Sequence, residues 1–157
     1  MELSHIDENG RAKMVDVGKK ANTLREAVAV ATVTMREDTL ALILCGGLPK
    51  GDVLATARIA GVMAAKRAWE LIPMCHPIPL DFAGVEFEPE QPDKLHITAT
   101  ARCTYHTGVE MEAMCAASTA ALTVYDMAKG VDRSMVIDDV MLIKKSGGKS
   151  GTYIREL

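Results

Sequence analysis

The chain predicts an α+β fold of split βαβ type, an antiparallel sheet with two helices packed on one face. Three observations point there. Apolar periodicity switches between two and about 3.6 in the order strand–helix–strand–strand–helix–strand. A polar stretch, PEQPD at 89–93, separates two middle strands closely enough for a hairpin. At 157 residues the chain is long enough for one domain with a core that folds without staples.

The elements follow in order. Residues 1–22 are polar and read as a flexible N-terminal segment of a domain spanning 1–157, with a short strand-like MVDV at 14–17. Arg25 to Met35, REAVAVATVTM, is β-branched and free of Pro and Gly, which suits a strand buried on both faces. Glu37 to Leu44 reads as a short helix with a Gly-Gly C-cap. Asp52 looks like the N-cap of a helix running to about Leu71. Apolar Val53, Ala57, Ala60 and Ala64 recur at its helical spacing, and Pro73 ends it. Val85–Glu88 and Leu95–Cys103 form the hairpin strands. A second helix runs from about Glu112 to Lys129 with Gly130 as its C-cap, and Met135–Lys144 is the last strand.

Composition narrows the function classes. Net charge is −3 and aromatics are 4%, which disfavours nucleic acid as a partner. No apolar run approaches the roughly 20 residues a membrane span needs, and the N-terminus has no secretory h-region. Cysteines 45, 75, 103 and 115 match no standard zinc spacing and lie among apolar residues. They read as buried free thiols in a reducing, cytoplasmic setting. The second helix is rich in alanine, at 113, 116, 117, 120 and 121, so it can approach another layer closely. With apolar residues on the sheet's other face as well, an oligomer is expected.

Several groups carry chemistry. Asp126 and Lys129 share a helix face at i,i+3; an exposed ion pair is the plain alternative to an acid–base role. KKSGGKSG at 144–151 sets Lys144, Lys145 and Lys149 among glycines, where backbone N–H groups can approach an anion; a solvated loop is the alternative. It is not a P-loop, because Ile143 stands where that motif needs glycine and only six residues follow Gly151. Lys50 precedes the first long helix, where anions are favoured. Lys66 and Arg67 sit late in that helix, where dipole complementation alone would explain them. His76 is held extended by Pro77 in PMCHPIPL, which suits a projecting binding residue. Glu110 and Glu112, two apart, would diverge on one helix, so Glu110 is placed before it.

Together the segments VDV, PKGD, ARIAGVMAAKRAWELIPMCHPIPL, GVEMEAM, YDMAK and IKKSGGKSG resemble the molybdenum cofactor biosynthesis protein C family, from about residue 3 to 153. The resemblance implies a ferredoxin-like fold assembled as a homohexamer, a trimer of dimers with the pocket at a subunit interface. It implies a lyase that converts 3′,8-cyclo-7,8-dihydroguanosine 5′-triphosphate, a cyclised GTP intermediate, to cyclic pyranopterin monophosphate and pyrophosphate. It implies catalytic roles for Asp126, Lys129, Lys50 and Lys145. Substrate contacts would come from Met74, Cys75, His76, Glu110, Met111, Glu112, Lys66 and Arg25. No cofactor is required by this reading; lysines meet the phosphate charge with or without Mg²⁺ brought by the triphosphate. Two other readings compete: a nucleotide-binding regulatory module on the same fold, which would not need Asp126, and a structural oligomer with solvated charges.

Overall fold

The computed structural model describes residues 9–11, 13–14, 21–149 and 151–156. Five strands form one antiparallel sheet: β1 Thr23–Thr34, β2 Phe82–Glu90, β3 Lys94–Tyr105, β4 Val136–Ser146 and β5 Tyr153–Ile154. The helices are α1 Glu37–Leu44, α2 Val53–Lys66, α3 Ala68–Leu71 and α4 Glu110–Ala128. Strand order is β2-β3-β1-β4-β5. The chain therefore crosses from β1 to β2 over β3, and from β3 to β4 over β1. These two interleaved crossovers are the ferredoxin-like arrangement that the periodicity and the resemblance led us to expect. Of the strand-like stretch at 14–17, residues 15–17 lie outside the described residues, as does most of the segment 1–22.

Small side chains set the spacing between the layers. Ala27, Ala29, Ala31 and Val33 of β1 are fully buried, opposite Ala101, Ala99, Ile97 and Leu95 of β3. Ala113, Ala117, Ala120, Ala121 and Val124 of α4 join the same core. Where α2 crosses α4, even a methyl group is too large. A Cβ on Gly61 would lie 2.7 Å from Val85 Cγ2 and 2.9 Å from the Ala116 carbonyl. That close approach accounts for a glycine in a helix interior, where it costs about 1 kcal/mol against alanine.

Several expectations change. The alanines of the second helix are used within the chain, and the exposed apolar residues are others, among them Ile59, Met63, Trp69, Leu71 and Leu122 on the helices and Leu24, Phe82, Val136 and Ile154 on the strands. The first strand is buried on one face; on the other, Thr32 is buried but Val28 and Val30 are only half-buried, opposite Thr100 and Thr98. The long helix from Asp52 breaks at Arg67, whose φ of −120° and ψ of 16° leave the helical region, and α3 follows as a separate turn. Gly130 is not a left-handed C-cap; the Val131 and Asp132 N–H groups return to the Ala128 carbonyl instead. Glu110 lies inside α4, as its first residue. Cysteines 45, 75, 103 and 115 are free, but Cys45 is exposed and Cys75 half-buried.

Two caps fall where the sequence placed them. The Asp52 side chain accepts from the Ala55 N–H at 2.9 Å, starting α2. Gly46, at φ +69°, ends α1 in a Schellman turn: Gly47 N–H donates to the Leu42 carbonyl and Gly46 N–H to the Ile43 carbonyl. Between these caps lie Leu48, Pro49 and Lys50, so both ends of the segment that carries Lys50 are fixed.

Candidate active site

Helix α4 carries functional groups at both ends. At its C-terminal end, Asp126 Oδ1 lies 2.6 Å from Lys129 Nζ and Oδ2 lies 3.0 Å from Lys50 Nζ. Lys50 also donates to the Asp126 carbonyl at 2.8 Å, one of the outward carbonyls that attract cations at a helix end. Hydrogen bonds and charge from Lys129, then from Lys50, hold the Asp126 carboxyl below the usual carboxylate range. All three side chains are about half exposed, so these pairs contribute little to stability. Beside them a hollow of about 360 Å³ is lined by apolar Leu48, Met127 and Val131 together with Lys50, Lys129 and Arg133. A carboxylate with two ammonium groups at an open hollow can bind anionic substrate and exchange protons with it.

At the N-terminal end lies a larger cavity of about 570 Å³, between the β3–α4 loop and the glycine loop after β4. Lys145 Nζ meets Glu110 Oε1 there at 3.0 Å, and Lys149 and His106 also line it. Lys145 reaches the helix because it alternates with Lys144, which turns to the other sheet face and pairs with Glu26 at 2.9 Å. Gly147 and Gly148, at φ +95° and +75°, take the chain around the cavity in a conformation other residues rarely adopt. Arg25 lines the same cavity and donates to the carbonyls of Tyr105, His106 and Gly147.

Glu112, in the first turn of α4, is 3% exposed and has no ion-pair partner among the described residues. Burial pushes its carboxyl up to about 7; the charge of Glu110 adds to the rise, and a bond from its own backbone N–H partly opposes it. A carboxyl poised there can hold or release a proton near neutral pH. Its field reaches three thiols. Burial, then Glu112, raises Cys75 and Cys115 above the usual thiol range, and Cys103 is pushed up to about 11. Cys75 is thus within reach of the Glu112 charge, and Met74, Cys75 and His76 are all half-buried. Lys66, exposed, ends α2 at the same side, where Ala64 and Ala68 pack on Cys115. Met111 is exposed on the first turn of α4.

The twelve site residues expected from the sequence thus sort into two groups. Asp126, Lys129 and Lys50 are in contact, as are Lys145 and Glu110. The two groups are not brought together within one chain: Glu110 and Asp126 are sixteen positions apart on one helix, about 24 Å along its axis. Sequence reasoning passed over Arg133 and His106, which line the two cavities. It also missed Asp132, 1% exposed, which accepts from Arg36 N–H (3.0 Å), Thr39 Oγ1 (3.3 Å), Ser134 N–H (2.9 Å) and Ser134 Oγ (2.6 Å). Burial alone would raise its carboxyl, but these bonds outweigh burial and hold it down to about 2. Asp-Arg-Ser just past a helix end is the one sequence signal for it, an aspartate set to cap its own turn.

The MoaC family model matches residues 14–148. A cyclic pyranopterin monophosphate synthase of Chloroflexus aggregans is 59% identical over 156 residues, covering 99% of this chain and 94% of its own length. One from Herpetosiphon aurantiacus is 59% identical over 152 residues, covering 96% and 93%. One from Thermoanaerobacter pseudethanolicus is 52% identical over 158 residues, covering 100% of each.

Proposed function

This chain belongs to the MoaC family, and from that premise we infer that it is a cyclic pyranopterin monophosphate synthase of molybdenum cofactor biosynthesis. It converts 3′,8-cyclo-7,8-dihydroguanosine 5′-triphosphate to cyclic pyranopterin monophosphate and releases pyrophosphate. The observation that carries this reading is the Lys50–Asp126–Lys129 cluster, held at an open hollow where stability gives no reason to gather it.

The chemistry fits these groups. Opening and re-closing the purine-derived ring moves protons, which positioned acids and bases supply. Closure of the cyclic phosphate has a sugar hydroxyl attack the α-phosphorus. The hydroxyl proton goes to a base, and pyrophosphate leaves with the P–O electron pair. Negative charge builds on that leaving group, and lysine ammonium groups stabilise it. The reading needs no resident cofactor; Mg²⁺ would enter, if at all, on the triphosphate. Asp126, Lys129, Lys50 and Lys145 take the catalytic roles in it. Met74, Cys75, His76, Glu110, Met111, Glu112, Lys66 and Arg25 form the surrounding pocket.

The working enzyme in this reading is a homohexamer, a trimer of dimers, in the cytoplasm. Exposed Ile59, Met63 and Leu122 on α2 and α4 support association, and the separation of the two residue groups along α4 supports a pocket shared between chains. Among the described residues no helix is long and apolar enough to cross a membrane. The test is turnover. Purified protein given the cyclised triphosphate should release one pyrophosphate per cyclic pyranopterin monophosphate formed. Tight binding without release would instead identify a regulatory nucleotide-binding module.

A further inference from the structure

Arg25 stands at the start of β1 on the helix-facing side, where a guanidinium is normally placed to meet an anion. Its hydrogen-bond partners among the described residues are all backbone carbonyls. Nε donates to Tyr105 O at 3.3 Å, Nη2 to His106 O at 3.4 Å and Nη1 to Gly147 O at 3.3 Å. Tyr105 ends β3 and His106 opens the β3–α4 loop, and Gly147 belongs to the loop after β4. The glycine loop is fitted around the guanidinium: a Cβ on Gly148 would fall 1.7 Å from Arg25 Nη1. A Cβ on Gly147 would fall 2.0 Å from the Leu24 carbonyl, one residue away. The two segments that Arg25 joins lead directly to the cavity's ion pair. Glu110 follows His106 by four residues, and Lys145 precedes Gly147 by two; their side chains meet at 3.0 Å.

We propose that Arg25 is a positioning residue: its guanidinium ties the β3–α4 loop to the glycine loop after β4 and thereby fixes where Lys145 and Glu110 stand. The planar fork matters here more than the charge. A lysine keeps the charge but cannot donate in three fixed directions from one rigid plane. Gly148 is part of the same device, because any side chain there displaces the guanidinium. The consequence for turnover rests on the function proposed above; the consequence for loop order does not.

The test compares Arg25→Lys, Arg25→Met and Gly148→Ala in the full chain. Misplacing a catalytic group by about 1 Å can cost 10²-fold. Arg25→Lys is therefore expected to lose about 30- to 100-fold in kcat with KM within about threefold, because the charge in the cavity is unchanged. Arg25→Met should lose about as much kcat. The Arg25→Met, Gly148→Ala double variant should be no worse than its poorer parent, since both changes break one linkage. Amide hydrogen exchange should quicken at 106–109 and 146–149 in every variant, with or without substrate, while the exchange of α4 and β1 stays as in the parent. Arg25→Lys within threefold of the parent kcat would overturn the proposal, as would a loss confined to KM that fades with salt. Unchanged exchange in both loops would overturn it too, whatever the activity assay shows. Failure of the parent enzyme to turn over, with the loops loosened as described, would instead strike the proposed function and leave the positioning role standing.

Discussion

Replacing Glu112 by glutamine should make the protein more stable, and only above acidic pH. The side chain is 3% exposed, and burial raises its carboxyl from 4.5 to about 7. The folded state therefore holds a proton that the unfolded chain has released between those two values. Stability is undiminished below pH 4.5 and falls as pH rises towards 7, because the native state then binds more protons than the unfolded one. The penalty levels off above pH 7, where both states are ionised. At about 1.4 kcal/mol per pH unit, the full penalty is about 3 kcal/mol. Glutamine has the same shape and cannot ionise, so it is spared. Urea denaturation of parent and Glu112→Gln at one fixed protein concentration, from pH 4 to 8.5, reads the difference; the concentration is fixed because association adds its own stability. The gap should open between pH 4.5 and 7 and plateau near 3 kcal/mol. A gap that stays flat across this range, or a parent that gains on the variant as pH rises, would refute the buried, unpaired carboxyl. Activity should move oppositely: the more stable variant has lost its proton-exchanging group.

Asp126→Asn should keep the secondary structure and stability of the parent, because the side chain is exposed, yet lose about 10²- to 10⁴-fold in kcat; near-normal turnover would remove Asp126 from the chemistry. Lys50→Ala and Lys145→Ala should each weaken the triphosphate about tenfold to a hundredfold. A matching nucleoside should be affected much less, and calorimetry showing equal losses would mean that the lysines shape the cavity without meeting the phosphates. Asp132→Ala should cost about 1–3 kcal/mol near neutral pH by leaving the Arg36 N–H without its acceptor and the Thr39 hydroxyl with only its longer bond to Asp38. Its carboxyl is held down to about 2, so the stability it supplies is complete above the ordinary value of 3.8 and is lost as pH falls towards 2. The cost of the alanine should shrink across that window in urea titrations, and a constant cost would point to packing instead of charge.

Elements whose signal is local were legible in the sequence. The Asp52 cap, the Gly46 turn, the hairpin and the two crossover helices each rest on residues within one turn or one strand of each other. What depended on depth was less legible. Alternation in β1 is masked because its inward residues are alanines and its outward ones valines, so hydrophobicity alone suggested two buried faces. The alanines of α4 look like a surface for a second layer until the sheet beneath them proves to be floored with alanine too. The break at Arg67 has no glycine or proline to announce it. Among the site residues, Asp126 and Lys129 are paired by helix geometry and could be read directly. Lys50 joins them only through α1 and the Schellman turn, a tertiary placement. Asp132 has one nearby signal, its turn with Ser134, but its other partners lie in the 36–39 segment, more than ninety residues away. Burial of Glu112 beside exposed Met111 turns on which side of α4 meets the sheet, and that depends on where the helix begins, misjudged by two residues at Glu110.

Complementation between chains that each lack one end of α4 tests directly whether the active site is shared between subunits. Lys50 and Asp126 contact each other within a chain, so variants of those two cannot restore one another. Asp126→Asn and Lys145→Ala remove opposite ends. If one active site is built from the C-terminal end of one chain's helix and the N-terminal end of another's, equal mixing of these two inactive variants should restore about a quarter of parent activity, the share of interfaces that pair two intact halves. Mixed oligomers verified by mass that show no activity above the separate variants would contradict a shared site and leave each chain to work with the groups at its own two ends.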